Sequence, residues 1–265
     1  MNFNKLREKH GQFIYDSFEI RPEGSDLKIY FNFIITPDIK FKPEVVLPKG
    51  FKDLSEEVLK TLVFHLGLIE MISYWKSTCS PEIVIKAGFL SDDQIKWWKD
   101  LLIKGLGEFF YQNKIDFTAP DLVEFIVKPY SHIPSGNVVY REKLKDRNLI
   151  LVGGGKDSAV TLESFSGQDN QCLLLNPTQA AGNTAEVSGC KTSLIIERTI
   201  SPKLLELNKQ GYLNGHTPFS AYLAFLSTLA AVLYGYKNII VSNEASSNQG
   251  NVEFHGLVVN HQYSK

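Results

Sequence analysis

The sequence predicts an α/β fold over residues 141–265, a largely parallel sheet with helices on both faces, preceded by a smaller α+β region over residues 1–140. Three observations predict it. Strand-like and helix-like stretches alternate through the second half. A glycine-rich turn joins the first strand of that series to its first helix. The first half opens instead on two β-rich runs followed by two amphipathic stretches. The 265 residues suffice for one large domain or two small ones, and 43% hydrophobic with 22% charged residues is ordinary for a globular chain.

Residues 13–20 (FIYDSFEI) and 27–36 (LKIYFNFIIT) flank the turn cluster RPEGSD, which predicts a hairpin. Residues 54–77 show helical spacing of apolar positions after Ser55, a good N-cap. Residues 91–113 predict another helix, with Ser91 and two aspartates suited to its N-terminus. Its aromatics, Trp97, Trp98 and residues 109–111, are expected to pack the core. Residues 129–147 change to prolines, Gly136 and a charge run, and are read as a connection with solvated charges.

The alternation then runs NLILVG, KDSAVTLESF, QCLLLNP, TQAAGNTAEVSG, KTSLIIERTI, PKLLELNKQ, an apolar helix and NIIVSN. From Gln210 to Tyr236 there is no Asp, Glu, Lys or Arg, which raises the question of a membrane span. Thr217 as N-cap, Pro218 at the first helical position and Gly235 after the end describe a buried helix instead, so no membrane partner is expected. Twenty-eight basic against 29 acidic residues leave a net charge of −1, so no nucleic-acid partner is expected. Cys79, Cys172 and Cys190 form no C-x-x-C pair. Neither a zinc knuckle nor a disulfide framework is expected, and the reading is a reducing, cytoplasmic compartment. The N-terminus MNFNKLREKHGQF has charges with no apolar run after them, so no signal peptide is expected.

The turn GGGKDS, Gly153 to Ser158, carries the chemistry. Glycines let a backbone reach a ligand without Cβ interference, and the helix opening at Lys156 offers N–H groups to an anion. Two phosphate loops fail on spacing. A Walker A loop needs glycine where Ile150 stands, and a G-x-G-x-x-G fingerprint needs glycine where Ser158 stands. A second motif, LNGHTPFSAY, sets Asn214, Gly215 and His216 before the apolar helix. A histidine there is either a polar cap or a group beside the ligand, and the sequence leaves both open. After the last strand of the series come Ser242, Asn243, Glu244, Ser247, Asn248 and Asn251, a polar cluster at a strand end.

GGGKDS resembles the S-G-G-x-D-S motif of the PP-loop ATP pyrophosphatase superfamily, with Gly153 in place of the first serine. The resemblance implies a Rossmann-like sheet of the PP-loop type, with ATP and Mg²⁺ as cofactors. It implies that Gly153, Gly154, Gly155, Lys156 and Ser158 hold the outer phosphates, that Asp157 helps hold the metal, and that main-chain groups near Leu175 and Asn176 take adenine. Gly215 and Thr217 would line the nucleotide site beside His216. Together with SNEASSNQGN and VNHQYSK, these motifs are similar to one branch, the UDP-N-acetylmuramoyl-L-alanyl-L-glutamate epimerases of peptidoglycan precursor synthesis. That branch continues beyond the final Ser-Lys, so the resemblance implies a chain incomplete at its C-terminus.

The epimerase resemblance implies a carboxyl-adenylate formed with release of pyrophosphate on a nucleotide-sugar peptide substrate. Asn214, Asn243, Ser247, Asn248 and Asn251 are the substrate-binding candidates. His216, Glu244 and His261 are catalytic candidates by residue type alone, and none is singled out as the base. Another PP-loop adenylating enzyme (a carboxylate ligase or a tRNA modifier) and a non-catalytic ATP-binding protein stand as alternatives. The sequence leaves the oligomeric state open.

Overall fold

The structure, a computed structural model, describes residues 2–130, 138–190, 192–243, 252–254 and 256–259. After helix α1 (Phe3–Lys9), strands β1 (Gln12–Glu23) and β2 (Asp26–Ile35) form the expected antiparallel hairpin, turning through Gly24 at φ +63°. Period-two alternation decides which face is buried: Leu27, Ile29, Phe31, Phe33 and Ile35 point inward along β2. Strands β3 (Ile39–Phe41) and β4 (Glu44–Leu47) pair antiparallel with β2. Strand β5 (Glu82–Ile85) lies parallel to β1, and β6 (Glu124–Val127) parallel to β5.

Helix α2 (Glu56–Trp75) starts as its cap demands, with the Ser55 hydroxyl accepting from the Val58 N–H. By length and composition it could cross a membrane, yet 72% of its apolar window is buried inside the protein. It packs between the sheet and the later apolar helix, which is why it is apolar nearly all round. The stretch 91–113 forms two helices rather than one, α3 (Asp92–Gly105) and α4 (Gly107–Asn113), broken at Leu106 between two glycines. Gly has the poorest helix propensity after proline, so the break falls where the chain is weakest. Trp98, Phe109 and Phe110 are buried as expected, whereas Trp97 and Tyr111 are exposed.

The second half follows the expected alternation: β7 (Lys145–Leu151), α5 (Lys156–Ser164), β8 (Asn170–Leu175), α6 (Gln179–Val187), β9 (Ser193–Thr199), α7 (Pro202–Lys209), α8 (Phe219–Tyr234) and β10 (Tyr236–Ile240). Strands β7, β8 and β9 are parallel neighbours, and β10 returns parallel on the other side of β7. Alternate residues feed two layers. Ile150, Val152, Cys172 and Leu174 pack against Leu162 of α5 and Ala181 and Ala185 of α6. Leu149, Leu151, Leu173, Leu194 and Ile196 join the main core with α2, α7 and α8.

Strand β4 pairs antiparallel with β9, so both halves of the chain share one mixed sheet of ten strands. Its order is β10-β7-β8-β9-β4-β2-β1-β5-β6, with β3 beside β2. The architecture is mixed α/β. Strands β11 (Val252–Phe254) and β12 (Leu257–Val259) form a separate antiparallel pair. In the connection before β7, Arg141, Glu142 and Lys143 are exposed as expected, and residues 131–137 lie outside the described residues.

Two further expectations are corrected. Thr217 does not cap α8: the helix begins at Phe219, Pro218 occupies the cap position, and no side chain bonds there. Proline just before the first turn fixes the entry direction through its locked φ, and the Phe219 N–H donates to the Thr217 carbonyl at 2.7 Å in place of a side-chain cap. Cys172 and Cys190, expected to be unpaired, form a disulfide with Cα atoms 6.3 Å apart. Cys172 faces α6 from β8, and the turn after α6 brings Cys190 back over it, a proximity that linear spacing hides. The cysteine argument for a reducing compartment falls with that pairing. Cys79 is free and buried.

Candidate active site at the carboxyl edge of the parallel strands

Topology places the candidate site before any side chain is considered. From β7 the chain proceeds to β8 on one side, while β10 arrives on the other, making β7/β10 a switch point where crevices form beyond the strand ends. Three segments converge on that edge. They are the glycine turn after β7, residues 241–243 after β10, and the turn before α8, whose N-terminus faces the same edge because α8 leads back into a parallel strand.

The glycine turn is shaped by what it lacks. Gly154 adopts φ +84°, and a Cβ there would lie 2.5 Å from the Ala181 nitrogen of α6 and 2.8 Å from the Ala180 carbonyl carbon. Backbone conformation and close approach therefore both require glycine. Gly155 is the N-cap of α5, with open space within 4 Å of any added Cβ and no side chain capping the helix. A Cβ on Gly153 would meet nothing nearer than the Ser158 hydroxyl at 4.0 Å, so a side chain fits there. The buried Ser158 hydroxyl accepts from the Gly153 N–H at 3.1 Å, closing the turn over the start of α5. Lys156 is exposed, and Asp157 is half-buried in the first helical turn, where the helix dipole favours a carboxylate. The adjoining helix α6 is capped by Thr178, whose hydroxyl accepts from the Ala181 N–H. No group of three or more His, Cys, Asp or Glu residues able to hold a metal occurs among the described residues. Mg²⁺ commonly takes one or two carboxylates together with phosphate oxygens, so Asp157 is the residue here that fits it.

At the end of β8, Leu175 continues the ladder opposite Ile196. Asn176 takes φ +42°, its N–H donates to the Ile196 carbonyl, and its side chain both donates to the Arg198 carbonyl and accepts from the Arg198 N–H. Asn176 therefore serves as a splice that carries the β8–β9 pairing one step further.

The turn before α8 is held on several sides. Asn214 is exposed. Its side-chain oxygen accepts from the Gly215 N–H at 2.8 Å, and its carbonyl accepts from the Asn113 side chain of α4 at 3.1 Å. Gly215 sits at φ +153°, with the Phe109 ring 3.2 Å from where a Cβ would be. The Lys76 ammonium donates to the Gly215 carbonyl. The His216 Nδ1 lies 3.9 Å from a Glu108 carboxylate oxygen, and Thr217 is half-buried. Asn243 is exposed just past β10. Glu244, Ser247, Asn248, Asn251 and His261 lie outside the described residues.

Beneath that turn lies a cluster that sequence reasoning missed. Glu70 of α2, with no exposed surface, receives two hydrogen bonds from Arg198 of β9, at 2.8 and 3.1 Å. Arg198 also donates to the Ser73 hydroxyl, and its guanidinium lies over the Tyr222 ring of α8, 4.5 Å from the centroid. Burial pulls the Arg198 guanidinium down, but the Glu70 carboxylate outweighs it and holds the group above its ordinary value. Burial, with Arg198 adding repulsion, pulls the Lys76 ammonium down to about 8. The available signal was the lone acid in FHLGLIEMISYW, since a charge inside an apolar helix demands a buried partner.

Comparison with known proteins adds a decisive observation: the profile of the MurL N-terminal domain matches residues 4–265. The chain belongs to the MurL N-terminal domain family. Among curated proteins it is similar to the UDP-N-acetyl-alpha-D-muramoyl-L-alanyl-L-glutamate epimerase of Salinispora tropica, 31% identical over 264 residues, covering 94% of this chain and 56% of that protein. The protein of the same name from a Micromonospora species gives 31% over 264 residues, covering 94% and 57%. That of Xanthomonas oryzae pv. oryzae gives 32% over 202 residues, covering 76% and 43%. The chain thus spans about half the length of the curated relatives it matches. No solved structure matches it. The MurL N-terminal match encloses the glycine turn, the turn before α8 and the Glu70–Arg198 pair alike, so all three belong to one family unit.

Proposed function

We propose that this chain supplies the ATP-binding and carboxyl-activating part of a UDP-N-acetylmuramoyl-L-alanyl-L-glutamate epimerase, working in the cytoplasm on a nucleotide-sugar peptide, with a sheet of the PP-loop type. One observation carries the reading. A left-handed glycine pressed against α6 opens the uncapped N-terminus of α5 at the switch point of a parallel sheet. Backbone N–H groups and a helix dipole converge there, and the exposed Lys156 adds a positive charge, all complementary to phosphate.

The chemistry explains why an epimerase needs ATP. Removing the proton beside an ionised carboxylate sets a second negative charge next to the first. When the carboxylate oxygen attacks the α-phosphorus of ATP, the bond to the β-phosphate breaks and pyrophosphate leaves. The resulting acyl adenylate has a neutral carbonyl that accepts the electrons of the carbanion as an enolate. The proton returns on the opposite face, and water then cleaves the acyl–phosphate bond, releasing AMP and the D-glutamyl carboxylate. In this scheme Gly154, Gly155 and Ser158 would hold the departing pyrophosphate and Lys156 would balance its charge; Asp157 would hold Mg²⁺, which when bound would supply charge neutralisation. In the same scheme His216, at the mouth of α8, is the side chain proposed to lie beside the α-phosphate and the carboxylate.

Pyrophosphate release from Mg-ATP, measured with and without UDP-MurNAc-L-Ala-L-Glu, tests the reading. Stimulation by that substrate with AMP as the nucleotide product is expected. ADP as the product, or stimulation by RNA or another carboxylate instead, removes it.

A further inference from the structure

The Lys76 ammonium is the one charge of the buried cluster whose place the fold does not explain. Lys76 is 6% exposed at the C-cap of α2, and Glu70, the buried carboxylate of the same helix, is engaged at both oxygens by Arg198. Among the described residues the partner of its side chain is neutral and distant in sequence, the Gly215 carbonyl 139 positions away. A methionine or leucine would fill that volume without burying a charge. What the ammonium touches is the peptide that joins Gly215 to His216. That turn is already pressed onto Phe109 and tied to Asn113 through Asn214.

We infer that Lys76 is a positioning residue of the nucleotide site, tethering the Asn214–Gly215–His216 turn through the Gly215 carbonyl in the conformation that meets the anionic reacting groups. The inference rests on the adenylating reading above. The protonated amine bonds the carbonyl strongly and places positive charge behind the mouth of α8, whereas the neutral amine is a weaker donor and adds no field. The ionisable groups described at this end of α2 are Glu70 and Tyr74 from α2 itself, the Cys79 thiol, which donates to the Lys76 carbonyl and which burial keeps protonated, Arg198 from β9 and Tyr222 from α8, with Glu108 of α4 and His216 beyond the turn. Of these, Arg198 is the one that acts on Lys76 by charge, and it keeps its own proton throughout the accessible range. The tether therefore loosens as pH rises through about 8.

Hydrogen exchange over residues 213–219, expressed as protection relative to intrinsic rates, tests the tether together with Mg-ATP affinity in wild type and Lys76→Met. Wild type is expected to be protected at pH 7 and to lose roughly tenfold or more of that protection by pH 9.5. Lys76→Met is expected to show low protection there at both pH values and roughly tenfold weaker Mg-ATP binding, with a melting temperature at pH 7 equal to or above that of wild type. A purely structural lysine predicts the reverse: a lower melting temperature and protection lost across the whole fold. That result, or unchanged protection and affinity in Lys76→Met, overturns the inference. A wild-type chain with the expected exchange pattern and no Mg-ATP binding overturns the adenylating reading, and with it the role of the tether in catalysis. The two failures are thus told apart.

Discussion

The two turns at the carboxyl edge are built on opposite principles. The turn after β7 is made of backbone: left-handed Gly154, open Gly155, and a single serine hydroxyl closing it from within. The turn before α8 is made by charges and side chains that reach it from α2 and α4, with Glu70 and Arg198 paired below. A backbone anion site is held ready without burying a charge. A turn held by a buried ammonium carries a standing penalty, on the order of 3 kcal/mol at neutral pH for a lysine held at about 8. The lesson is that one edge combines a turn set by glycine backbone with a second turn held by a buried ammonium.

The most severe way to break the comparison is to orphan Arg198. Glu70→Gln leaves a buried guanidinium without its carboxylate and is expected to cost about 3–5 kcal/mol in urea unfolding. Next comes Gly154→Ala, which forces a Cβ into the Ala181 backbone at φ +84°. It is expected to cost about 2–4 kcal/mol and to weaken Mg-ATP binding more than about tenfold. The neighbouring Gly155→Ala, with open space around its Cβ, is expected to stay within about 0.5 kcal/mol of wild type in the same unfolding experiment.

The charged turn predicts the opposite sign. Lys76→Met is expected to match wild type or gain up to about 3 kcal/mol at pH 7. The pH dependence follows from the direction of the shift. The folded lysine gives up its proton near 8 and the unfolded one near 10.5, so between these values the unfolded chain binds more protons. Wild-type stability therefore rises through that window relative to Lys76→Met, and urea titrations at pH 7, 9 and 10.5 read the difference. The smallest effect sharpens the first turn. Ser158→Ala leaves the Gly153 N–H without its acceptor and is expected to cost about 1 kcal/mol, visible as a lower denaturation midpoint.

The same contrast governs what the sequence could reveal. The backbone-built turn was legible because its cause is local: three glycines, then a helix start, between two runs of defined period. The hairpin, α2 and the β7-to-β10 alternation were legible for the same reason. The charge-built turn was not, because Lys76 and Gly215 meet across 139 positions and Glu70 meets Arg198 across 128. The Cys172–Cys190 pair and the β4–β9 junction were hidden likewise. Only the completed α6 crossover brings the cysteines together, and a four-residue strand carries too little pattern to announce its neighbour. At α8, propensity alone overestimated Thr217, since Pro218 set the helix entry without a hydroxyl cap.

The most direct test of the central claim is a titration of the isotopically labelled protein with Mg-ATP, following the backbone amides of residues 153–158 by NMR. Shifts concentrated on those amides, and abolished in Gly154→Ala, are the predicted result. Saturable Mg-ATP binding that leaves those amides unmoved would contradict the account.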